Sequence, residues 1–112
     1  MSKKFLLIYR SQASAEQSAP SPAEMGEVLK AWGKWKEAFP AILDMGDGLL
    51  PTGKRLKGGT VIDGPAVESK EIVSGYSIVG AASYDEALVV AKACPINRVP
   101  GNSVEVRELA GY

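Results

Sequence analysis

Two segments of this chain are apolar on both faces when read as strands, and that constrains the fold more than any other feature. In Lys3–Arg10 (KKFLLIYR), Phe5, Leu7 and Tyr9 point one way and Leu6 and Ile8 the other. Residues 72–81 (IVSGYSIVGA) repeat the pattern, with Gly75 inside. A strand apolar on both sides belongs in the middle of a sheet that is covered on both faces.

The segments around these strands read as helices and edge strands. Ser21 is a candidate N-cap, Pro22 takes the first helical position and Glu24 falls three residues after the cap, a capping box. Met25, Val28, Leu29, Trp32, Trp35 and Phe39 follow at helical spacing, so a helix is expected over 22–39, ended by Pro40. Gly26 and Gly33 lower its propensity, which implies either close backbone packing or tolerance. Ser83, Asp85 and Glu86 repeat the capping chemistry for a second helix that stops at Cys94 before Pro95. Residues 11–21 read as a loop, 44–60 as a Gly-rich charged loop, 54–62 as a polar edge strand, and 103–109 as a half-buried last strand.

The order is β-α-β-β-α-β, so the expected fold is α+β: a ferredoxin-like single domain over 1–112, a four-stranded antiparallel sheet with two helices on one face. The first and third strands would be central and the second and fourth at the edges. Two helices cover only one sheet face, and the other would expose either Leu6 and Ile8 or the Phe5, Leu7, Tyr9 set. A homodimer packed sheet face on sheet face is the expected remedy.

Composition limits the chemistry. The 112 residues hold no His and one Cys, so no Ser-His-Asp triad, imidazole base, His-ligated zinc or internal disulfide can be built from this chain. No metal or cofactor is expected. Thirteen basic and thirteen acidic residues cancel, which argues against nucleic acid held by bulk charge. The apolar run Phe5–Tyr9 is too short for a signal-peptide core, and no segment approaches a membrane span, so a cytoplasmic protein without membrane contact is expected.

Candidate site residues are few. Gly48–Lys54 (GLLPTGK) has P-loop spacing, but Arg55 stands where Ser or Thr should hold magnesium, so loop glycines are the better account. Lys54, Arg55 and Lys57 could receive an anion, but lysines also blunt exposed edges. Tyr9, Trp32 and Trp35 could line a pocket or simply form core. Cys94, without a His partner and at a helix C-terminus, is a poor thiolate. The densest segment is Asp63–Glu71 (DGPAVESKE), three carboxylates and an amine beside a turn. An Asp beside a Lys there could act as a general base, or Asp63 could simply support the turn.

These residues resemble a known family. Asp63-Gly64-Pro65 followed by Glu68, Lys70 and Glu71 is similar to the DGPFxExKE signature of the DGPF-type branch of the YCII-related family, with Ala66 in place of its Phe. Gly75-Tyr76, Ser83–Ala87, Cys94-Pro95 and Val104–Leu109 also resemble that family, so the similarity covers essentially the whole chain. The resemblance implies a dimeric α+β barrel. The His and Asp pair suspected of catalysis in some relatives has no counterpart here, because the chain has no His. Members of this branch are mostly uncharacterised, and some look associated with sigma-factor-like regulators. The expected function is therefore a homodimer with a small-molecule pocket near Asp63, for binding or weak acid/base catalysis. Asp63 would be the acid or base, and Gly64, Pro65, Glu68, Lys70, Tyr9, Arg10 and Trp32 would bind the ligand. The alternative is a non-enzymatic interaction or regulatory module linked to transcription regulation.

Overall fold

The computed structural model describes residues 2–12, 21–68 and 70–111, so most of the loop expected at 11–21 lies outside the described residues. The elements in chain order are β1 (Lys3–Gln12), α1 (Pro22–Ala38), β2 (Ile42–Asp44), β3 (Lys54–Lys57), β4 (Thr60–Asp63), β5 (Val67–Glu68), β6 (Glu71–Ala81), α2 (Tyr84–Lys92), a 3₁₀ turn (Pro95–Arg98) and β7 (Ser103–Glu108). The main antiparallel sheet runs β2-β6-β1-β7, and β5 pairs with the other end of β6. The two doubly apolar segments are the two central strands, as their patterning requires. The alternating β7 is at an edge.

The second strand departs from expectation. Residues 54–62 do not form the sheet's edge; β3 and β4 make a separate two-stranded hairpin. The edge beside β6 is built instead from β2, a single bridge at Gly48↔Gly75, and β5. Alternating polar residues fit an edge strand and a free hairpin equally well, and the three residues of β2 are too short for periodicity to detect. The loop expected after α2 is also partly regular, since Pro95 opens a 3₁₀ turn.

The molecule is a two-layer slab with extents of 41 × 40 × 20 Å. Phe5, Leu7 and Tyr9 face the helices and are buried with Trp35, Val79, Ala87, Val90, Ala91 and Cys94. Leu6 and Ile8 lie on the opposite, open face with Tyr76 and Ile78 as their cross-strand partners. Both capping residues work as read: Ser21 Oγ accepts the Glu24 N–H (3.2 Å) and Ser83 Oγ accepts the Glu86 N–H (3.3 Å). Glu86 also reaches back to accept the Ala82 N–H at 2.9 Å. No atom lies within 4 Å of a Cβ built on Gly26 or Gly33, so these glycines are tolerated and serve no close packing.

Candidate functional site

The two helices use their apolar faces differently. α2 buries Ala87, Val90 and Ala91, small residues that let its backbone approach the sheet. α1 buries only Trp35, whose indole N–H donates to the Val90 carbonyl at 2.9 Å. The N-terminal half of α1 leaves Met25, Val28 and Leu29 substantially exposed, Leu29 at 65%. These side chains line a cleft of about 480 Å³ between α1 and the sheet. Tyr9, Trp32, Met45, Gly46, Asp47, Gly48, Ser74, Gly75, Tyr76 and Ile96 complete its lining. A few hundred Å³ of mostly apolar lining with a few polar groups suits a small organic molecule.

The floor is held by a buried hydrogen-bond chain. Cys94 Sγ donates to Tyr9 Oη (3.6 Å), Tyr9 donates to Ser77 Oγ (2.6 Å), and Ser77 donates to the Met45 carbonyl (2.6 Å). Each hydroxyl therefore both accepts and donates, which is how buried polar groups avoid a desolvation cost. Burial pushes the Tyr9 phenol far above its ordinary range, only partly offset by its bond to Ser77. Burial likewise raises the Cys94 thiol. Both shifts favour the protonated forms, and the Tyr9 O–H is already donated to Ser77 within the chain. The Tyr9 ring packs edge-on against Trp32 with centroids 5.5 Å apart, and Trp32 meets Trp35 in the same way at 5.5 Å.

The wall opposite α1 depends on two glycines. Gly46 sits at φ +68°, and a Cβ there would overlap the Tyr76 carbonyl. A Cβ on Gly75 would lie 2.9 Å from the Asp47 carbonyl and 3.3 Å from the Tyr9 ring. Their absence lets the Asp44–Gly48 loop lie flat on β6, where the Leu49 N–H reaches the Ser74 carbonyl (2.8 Å) and the Tyr76 N–H reaches that of Asp47 (3.3 Å). The β1–β6 register slips at this point, from Tyr9↔Gly75 to Arg10↔Val73, and leaves Ser74 in a bulge at the cleft.

The residues proposed from sequence divide between places. Tyr9 and Trp32 meet in the cleft. Arg10 points to the open sheet face and pairs with Glu105 at 3.1 Å. Asp63 ends the hairpin with its side chain 87% exposed, paired with Lys54 at 2.7 Å. Gly64 makes the turn at φ +86°, Lys70 is exposed at φ +67°, and the Glu68 backbone pairs with Glu71. Pro65 lines a separate depression of about 260 Å³ with Leu49, Leu50, Thr52, Ala66, Ile72 and Val73. Ala66 thus has a place in that depression but not in the cleft. Asp47, Ser74 and the Met25–Leu29 pair were not singled out from sequence as site residues. The signal that could have found them is the Asp44-Met45-Gly46-Asp47-Gly48 run, in which two carboxylates alternate with glycines directly after an aromatic-rich helix.

Among the described residues, no three His, Cys, Asp or Glu side chains come together in a way that could hold a metal ion. No described helix is long and apolar enough to cross a membrane. In comparison with known proteins, the YCII-related domain family matches residues 3–110. No curated protein matches the chain.

Proposed function

We propose that this chain, which belongs to the YCII-related domain family, is a small-molecule-binding domain that works as a homodimer. The observation that carries the reading is the cleft: Met25, Val28 and Leu29 stand over a floor of Tyr9 and Trp32 rather than closing onto it. The half-buried Leu6, Ile8, Tyr76 and Ile78 on the open sheet face support dimerisation through that face. Asp63 is exposed in the single subunit, so a weak acid/base role for it requires the partner subunit to close over the hairpin. A second reading, a non-enzymatic interaction or regulatory module, is favoured by the same hairpin, where the cross-strand pair Leu56 and Val61 is 71% and 59% exposed.

Thermal-shift measurements against a panel of small amphipathic molecules separate these readings. Panel members that stabilise the wild type should stabilise Asp63→Asn equally and lose their effect on Leu29→Arg, whose exposed position tolerates the change in the fold while filling the cleft. Trp32→Ala should behave like Leu29→Arg. Stabilisation lost in Asp63→Asn and kept in Leu29→Arg would move the site to the hairpin. Sedimentation equilibrium at micromolar concentration should give a dimer; a monomer removes the sheet-face assembly.

A further inference from the structure

The cleft's charge is one-sided. Its walls are apolar at Met25, Leu29, Met45 and Ile96, and the aromatic residues Tyr9 and Trp32 line it, while Tyr76 meets it through the backbone beside Gly46. Asp47 is the one charged residue among those lining it. Its Oδ1 accepts the Gly48 N–H at 2.8 Å, which fixes the carboxylate within the loop. Three other carboxylates have basic partners: Asp63 with Lys54, Glu105 with Arg10 and Glu108 with Lys3. Among the described residues no Lys or Arg pairs with Asp47. The adjoining depression, which shares Val28, Trp32 and Ile96 with the cleft, is lined by Glu27 and Arg98, of opposite sign.

An anionic ligand would therefore meet a carboxylate and no cation within the cleft. An organic cation would meet Asp47 beside the aromatic floor of Tyr9 and Trp32. Resting on the small-molecule reading above, we infer that the ligand class of this cleft is a small organic monocation, an ammonium head on an apolar or aromatic body. The head lies at Asp47 and Ser74, and the body lies between α1 and the Tyr9–Trp32 floor. An aliphatic ammonium is charged at neutral pH, as a lysine side chain is. Asp47 is exposed, so its attraction is moderate and screened by salt.

Three probes with one body and different heads test this: 2-phenylethylamine, 2-phenylethanol and phenylacetate, titrated into the full chain by calorimetry. The amine should bind about three- to tenfold more tightly than the alcohol, and phenylacetate more weakly than either. Rising salt should weaken the amine alone. Asp47→Asn keeps the acceptor for the Gly48 N–H; it should reduce amine affinity to that of the alcohol and leave the alcohol unchanged. Equal or tighter binding of phenylacetate overturns the cation assignment, and an amine preference that survives in Asp47→Asn overturns the placement of the head at Asp47, while the pocket stands. Absence of binding by all three probes to the wild type, at concentrations where Leu29→Arg is equally silent, counts against both the assignment and the pocket.

Discussion

The two helices begin with the same device and end with different roles. Each opens with a serine whose hydroxyl caps the amide three residues on, and each carries apolar residues at helical spacing. α2 presents Ala87 and Ala91 and packs them against the sheet together with Val90. α1 presents Met25, Val28, Leu29, Trp32 and Trp35, too bulky for the same approach, and is anchored by Trp35 alone among its buried residues. Equal helix signals thus yield a closed layer on one side and a cleft on the other. What separates them is side-chain volume at the interface, set against the Gly46 and Gly75 backbone that forms the far wall.

The largest expected effect tests that anchor. Trp35→Ala should cost about 4 kcal/mol in urea unfolding, the range for a buried indole, and should release α1. A loss below about 1.5 kcal/mol would mean that α1 is held by something other than Trp35, and the contrast with α2 would fail.

Much of this arrangement was readable because it is local or periodic. The two central strands follow from apolar residues on both faces at Phe5–Tyr9 and Ile72–Ala81, and the helix starts follow from Ser21 and Ser83, whose caps form within three residues. The edge at Ile42–Asp44 was not readable, because three residues carry no period and only Ile42 is buried. The cleft was half readable. Tyr9 and Trp32 stood out as aromatics, but their meeting with Asp47 and Gly75 is a product of tertiary packing. The Asp63–Glu71 run stood out chemically, yet its chemistry at Asp63 faces solvent, paired with Lys54.

A smaller effect sharpens the role of Tyr9, which the core and the cleft share. Its phenol titrates higher in the folded chain than in the unfolded one, so above the unfolded value the unfolded state binds fewer protons. Stability from Tyr9 is therefore complete below roughly pH 10 and falls by up to about 1.4 kcal/mol per pH unit above it. The raised Cys94 thiol acts in the same direction, starting from roughly pH 8.5. In urea unfolding across pH 8–11.5, Tyr9→Phe should flatten the upper part of this decline. An unchanged slope would mean that Tyr9 is not closed off from water.

The smallest effect concerns α1 itself. Gly33→Ala meets open space and should stabilise the chain by roughly 0.5–1 kcal/mol, read as a raised melting temperature. A loss of stability would show that α1 needs the glycine, and would undo the view that only its side chains distinguish it from α2.

The measurement that bears most directly on the cleft is an amide chemical-shift map of the full chain during titration with 2-phenylethylamine. Shifts centred on Gly46, Asp47, Gly48, Ser74 and Gly75, with the indole N–H of Trp32, are the predicted result. Shifts centred instead on Asp63, Gly64 and Lys70 would place binding at the hairpin turn and contradict the account.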